Sequence, residues 1–245
     1  MYTLDYHNYT MHLEPVNSNN IDGTIAKATR LAIIYNVTGL LLSIICAFFN
    51  NYISTAILLL YPLAGIAIMA FGGGTTKFLA DLRIKTYPLM AFGIFTPIIA
   101  LVYKAVNVYL LFSLNSLWLP FIAICLIITV SLYFTGLNKP LGQVKHQIII
   151  MFMAGIGYGF GGTIQINCVY DNTTPKRYPS TIIGMHISSG KHLVPFLFLS
   201  AWGPRDKDAE TAVDRSFYDE VKVGETVNVN LHSGLLNIPW ITVSH

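Results

Sequence analysis

From Gln147 to Ile166 the chain carries no charged residue, with Lys145 before the run and Asp171 after it. About 20 apolar residues in a helix rise roughly 30 Å, the thickness of a hydrocarbon core. A backbone at that depth finds no water for its N–H and C=O groups, so it must be helical or part of a closed barrel. The run is the last long apolar segment in the chain. Before it the sequence reads as further membrane-spanning segments, and after it as a small water-facing β domain.

The run is dense in glycine: Gly155, Gly157, Gly159, Gly161 and Gly162. In a soluble helix each would cost about 1 kcal/mol relative to alanine. In lipid, glycine lets helix backbones approach, and 155/159 and 157/161 both stand at GxxxG spacing. These five residues are the predicted helix-packing seam. The seam faces either a neighbouring helix of the same bundle or a second copy of the chain, through self-association of the last span. The embedded GYGFGG matches GxGxxG, but with no preceding soluble strand it is not a dinucleotide site.

Earlier spans are expected at about 31–49, 53–71, 88–103 and 118–134, which makes five with the glycine-rich one. Pro62 and Pro97 fall inside two of them, which membrane helices tolerate where neighbours satisfy the freed carbonyls. Residues 105–117, too few for another crossing, read as an interfacial or tilted lead-in to Trp118. Only 11% of residues are charged, against roughly 25% in soluble domains, and the net charge of +3 is too small and dispersed for a nucleic-acid surface. Lys27 and Arg30, then Lys77, Arg83 and Lys85, then Lys139 and Lys145 fall in loops on one side of a five-span topology. The opposite loops hold only Lys104. The positive-inside rule then puts the amino terminus in the cytoplasm and everything after Ile166 outside. No ionisable residue is expected within the core of a span, which argues against proton relays and intramembrane chemistry. Three domains follow: a polar tail over 1–26 without a removable signal peptide, a transmembrane helical domain over 27–166, and a soluble β domain over 167–245.

The last part changes to period two. Ile183, Met185 and Ile187 alternate with Ile182, Gly184 and His186. A two-residue turn at Ser189-Gly190 would place Phe196 and Phe198 on the face of Ile183, Met185 and Ile187. The strand over 226–232 turns Val227, Val229 and Leu231 inward. With Trp240 closing one end, these residues are the expected core of a small barrel or curled sandwich of about five strands. A short strand, a helical turn and a turn at Gly224 lie between. His7, His12, His186, His192 and His232 lack metal-site spacing, the serines lack a nucleophile elbow, and the acidic loop over 206–214 lacks a calcium-loop glycine and terminal glutamate. Cys46, Cys125 and Cys168 form no disulfide framework. No catalytic residue, cofactor site or metal site is expected.

Asn167 and Asp171 after the last span, the hairpin, Trp202-Gly203-Pro204, the segment from Tyr218 to Gly224 and the segment from Gly234 to Trp240 occur in an order that resembles a group of uncharacterised small bacterial inner-membrane proteins. The resemblance covers roughly the last third of the chain. It implies an extracytoplasmic β domain on the inner membrane and identifies no catalytic residue. The arrangement of a few spans before a small β barrel is also similar to NfeD-like scaffolding proteins. The expected function is a non-enzymatic membrane protein whose β domain binds a partner or supports an assembly, with Trp202, Gly203 and Pro204 as the candidate partner surface. The alternative is a small oligomeric transporter or channel for a neutral solute or lipid.

Overall fold

A computed structural model describes residues 18–72, 75–79, 89–137, 144–189 and 193–245. The tail with His7 and His12, the loop charges Arg83, Lys85 and Lys139, and Gly190 and His192 lie outside the described residues. Among the described residues the long helices are α1 (Ser18–Ala47), α2 (Tyr52–Phe71), α3 (Ala91–Asn107), α4 (Trp118–Gly136) and α5 (Val144–Val169). Helix α1 begins at Ser18, within the stretch expected as the polar tail. Four of the five are long and apolar enough to cross a membrane, and α3 is a shorter apolar helix. At 17 residues it measures about 25 Å.

Successive helices run in alternate directions, and α3 lies among α1, α2 and α5. Its place requires small residues. A Cβ on Gly39 of α1 would stand 2.9 Å from the Cα of Gly93 in α3. Asn36 of α1 then reaches the start of α3, accepting from the Gly93 N–H and donating to the Leu89 carbonyl, which supplies an acceptor to an otherwise orphaned helix-start donor. Around Pro62 two tyrosines supply donors. Tyr35 donates to the Tyr61 carbonyl and Tyr158 to the Leu59 carbonyl. The α1–α2 turn is fixed by Asn51, whose side chain accepts from Ser54 N–H in a capping box.

Lys104 is not a loop charge. It lies in the last turn of α3, fully buried, and its Nζ donates to the Phe49 carbonyl at 2.7 Å and to the Cys46 carbonyl and Ser54 hydroxyl. Carbonyls at the end of α1 carry the negative end of that helix dipole, so an ammonium there is favoured. Lys104 therefore cannot be counted among the loop charges, and it is an ionisable residue inside a helix where none was expected.

The β domain is a six-stranded antiparallel sheet, nearly closed, in the order β1-β6-β5-β2-β3-β4. Its strands are β1 (Leu110–Leu111), β2 (Lys176–Ile187), β3 (Pro195–Leu199), β4 (Ala209–Ala212), β5 (Thr226–His232) and β6 (Trp240–Ser244), with the short helix α6 (Arg215–Glu220) between β4 and β5. The expectation of a helical region followed by a small β domain holds. The first strand comes from the α3–α4 connector, where a lead-in to the membrane was expected, and pairs with β6. Two residues from between α3 and α4 thus join the sheet formed by the residues after α5.

Two corrections concern the core. Strand β3 starts at Pro195, and Ile187 pairs with Pro195, so a longer loop replaces the two-residue turn. The register also shifts between Ile182 and Gly184. This bulge at Ile183 changes which side chains face inward. Ile182, Leu197 and Leu199 are fully buried, whereas Ile183 and Phe198 are exposed. The core is Ile182, Leu197, Leu199, Trp202, Val221, Val227, Val229 and Ile241, with Met185 and Leu231 packed against it. Phe196 is only half-buried and stacks on His186. In β5, Val227 and Val229 face inward as expected.

Candidate functional site

Four of the residues that the sequence singled out, Asn167, Asp171, Gly234 and Trp240, converge on one place, the junction between α5 and the loop over 233–239. Asn167, fully buried in the last turn of α5, accepts on Oδ1 from the N–H groups of Leu236 (3.0 Å) and Ile238 (3.3 Å). Its Nδ2 donates to the Ile238 carbonyl at 2.8 Å. The backbone carbonyl of Asn167 accepts from Leu235 N–H. An asparagine side chain offers both an acceptor and a donor, and here it acts as a surrogate strand partner for the loop. Gly234 is required for the approach: its φ is +77°, and a Cβ would strike the Asn167 amide.

Asp171, just past the helix, completes the junction. Its Oδ2 accepts from Gly234 N–H and Trp240 Nε1–H, both at 2.9 Å, and its Oδ1 from the Thr173 N–H and hydroxyl. Burial pushes the Asp171 carboxyl up, but the bonds from Thr173, Trp240 and Gly234 outweigh it and hold it below the usual carboxylate range. Trp240, expected to close one end of the domain, stacks on His232 at 4.1 Å and meets Tyr109 edge-on. His232 is held below the ordinary imidazole value by burial, opposed by the Asp171 charge. The neutral ring contacts Thr242 Oγ1 at 3.1 Å. Together with β1, these contacts join the β domain to the bundle at three places in the sequence. The arrangement binds and orients backbone; it contains no paired acid and base aimed at an open space.

The glycine seam is filled from within the chain. A Cβ on Gly159 would lie 2.9 Å from the Phe121 carbonyl oxygen, and one on Gly155 2.8 Å from that of Cys125, both on α4. On the other face a Cβ on Gly161 would lie 2.8 Å from the Leu101 backbone and one on Gly157 2.7 Å from the Ile98 side chain, both on α3. Gly162 faces Leu59 of α2. Each GxxxG pair thus seats a different helix of the same chain.

Of the candidate partner surface, Trp202 is buried among Tyr178 and Phe112, with the Arg205 guanidinium 5.8 Å from its ring. A large ring between two other aromatics gains more from burial than from water contact. Gly203, at φ +45°, makes the turn against Tyr178, and Gly203 and Pro204 remain exposed. His186 lies 4.0 Å from Glu210 on the outer face. Among the described residues no group of three or more His, Cys, Asp or Glu could hold a metal ion. The three cysteines are free and buried.

Comparison of the chain with protein-family models, with curated proteins and with solved structures finds no match.

Proposed function

We propose that this chain is a multi-pass membrane protein that presents its β domain, rigidly seated on the end of the helical bundle, as a docking module for a protein partner. The observation that carries this is the junction at Asn167 and Asp171, reinforced by β1. A domain that merely trailed from an anchor would need no buried asparagine bonded to its backbone. The charge-bearing loops expected at 77–85 and 139–145 support five crossings, with α3 as the third, and a cytoplasmic amino terminus. The resemblance of the last third to small inner-membrane proteins supports a bacterial inner membrane with the β domain outside, and the likeness to NfeD-like proteins supports a scaffolding role. The exposed apolar residues Ile183, Phe198 and Val223 offer contact area.

The test is photo-crosslinking in intact membranes from residues placed at Phe198, Val223 and, as a lipid-facing control, Phe134. Discrete protein adducts from the first two and none from the control are expected. Absence of adducts from every β-domain position would reject the docking role. A second reading, a small channel for neutral solutes, is favoured by Thr163 Oγ1 and Gln165 Nε2, buried polar atoms without a hydrogen-bond partner inside the bundle. Solute flux in proteoliposomes tests it.

A further inference from the structure

The two ends of the sheet do not pair with each other, and a cleft of about 190 Å³ lies between them, walled by Val108, Leu110, Val194, Val213, Phe217 and Val243. We propose that this cleft receives an extended segment of a partner protein as an added strand, with one apolar side chain in the cleft and a basic residue beside Asp214. The inference rests on the β domain being a docking module and names where and how it docks.

The backbone supplies the first argument. Phe112 N–H donates to the Pro239 carbonyl, so in the antiparallel β1–β6 ladder the main-chain groups of Ile241 also face β1, and by alternation those of Val243 face the same way. Val108 would stand opposite Val243, but its N–H is used by the Lys104 carbonyl at the end of α3. Across the cleft, Val213 N–H donates to the Pro195 carbonyl. The main-chain groups of Val213 and Thr211 therefore face β3, and those of Ala212 and Glu210 face away from it. Val243 and Ala212 both line the cleft. Among the described residues, the N–H and C=O of Val243 and of Ala212 thus face the cleft without a main-chain partner, the arrangement that strand addition uses.

Size and charge supply the second. The volume is below the roughly 300 Å³ of small-molecule pockets, and the lining mixes apolar side chains such as Val213 and Phe217 with Asn107, Thr242 and Asp214, which suits one apolar anchor side chain with a polar or basic neighbour. At the mouth stands Asp214, exposed and at the N-cap position of α6 without making the side-chain cap bond. Its acidic neighbours are engaged: Asp219 with Arg215, Glu220 with His245 and Glu210 near His186. Asp214 alone of these forms no ion pair among the described residues, which leaves a carboxylate for an incoming lysine or arginine.

The test uses the full chain in lipid nanodiscs and a capped pentapeptide of sequence lysine–leucine–valine–leucine–lysine. Saturable binding is expected, with slowed hydrogen exchange at Ala212 and Val243. Asp214→Lys, at an exposed position that leaves the fold intact, should weaken binding by about tenfold or more, and glutamates in place of the peptide lysines should do the same. Val213→Trp, which fills the cleft, should abolish binding. No saturable binding, binding without protection at Ala212 and Val243, or binding indifferent to Asp214→Lys would each overturn the inference. In membranes, a crosslinker at Val213 should capture the same partner as one at Phe198. Adducts from Phe198 alone would refute strand addition while leaving the docking role standing, and adducts from neither would reject both.

Discussion

Asn167→Ala removes a hub without touching the hydrophobic core. The substitution orphans the Leu236 and Ile238 N–H groups and the Ile238 carbonyl, at a place where Asn167 and Ile238 are both fully buried. An unsatisfied buried polar group costs about 1–3 kcal/mol. With partial rescue of Leu236 by water, the expected loss is about 4 kcal/mol. A β domain this small has on the order of 5 kcal/mol in total, so the junction should open at ambient temperature. The assay is hydrogen exchange resolved to single amides in detergent, with limited proteolysis alongside. Leu235, Leu236 and Ile238 should lose protection, and cleavage should appear within 233–239 while α1–α5 stay intact. Asn172→Ala, on an exposed residue five positions along, should change stability by less than about 0.5 kcal/mol. Wild-type protection of Leu236 and Ile238 in Asn167→Ala would refute the reasoning.

Leu197→Ala should destabilise the β domain by about 3 kcal/mol, while Phe198→Ala beside it should cost under about 1 kcal/mol; denaturant unfolding followed by tryptophan fluorescence checks both, and the reverse order would mean that the strand faces the other way. Gly159→Leu should lower the thermal stability of the bundle in detergent, because α4 must move off the Phe121 carbonyl; an unchanged midpoint would mean that α4 and α5 are not in contact there. Because the Asp171 carboxyl is held low in the folded protein, its contribution is fully present above the ordinary carboxylate value near pH 4 and is lost as pH falls through the lower folded value. Protection of Gly234 N–H should fall in that acid window in the wild type, and Asp171→Asn should remove this acid dependence. A reporter fused after His245 should be active only outside the cytoplasm, and cytoplasmic activity would overturn five crossings.

Much of the plan was legible because two periodicities differ so plainly. The charge-free runs gave the helices, and the alternation over 226–232 gave β5 and the inward Val227 and Val229. The glycines pointed to close packing, though spacing alone could not say that 155/159 seats α4 and 157/161 seats α3. Leu110 and Leu111 were hidden because an apolar pair serves equally in lipid and in a sheet, and their partner β6 lies some 130 residues away. The connector between Ile187 and Pro195, longer than a two-residue turn, sets Leu197 rather than Phe196 beside Met185, and the bulge at Ile183 turns Ile182 inward, so a sound alternation argument put Phe196, Phe198 and Ile183 in the core. Lys104 and Trp202 were misplaced for a related reason. A lysine at the end of an apolar run and a tryptophan in a Gly-Pro turn both look exposed until distant groups, the Phe49 carbonyl for one and Phe112 and Tyr178 for the other, come to meet them. Asn167 and Asp171 were visible as a pattern, but their role required the loop from Gly234 to Trp240 to return to the end of α5.

The most direct test of a β domain fixed to its bundle is the distance between them. Cys46, Cys125 and Cys168 are buried, so spin labels introduced at the exposed positions Phe134 of α4 and Asp219 of α6 would be read without interference from native thiols. Double electron–electron resonance in nanodiscs should give one narrow distance distribution, which broadens in Asn167→Ala. A broad distribution in the wild-type protein, unchanged by Asn167→Ala, would contradict the rigid junction.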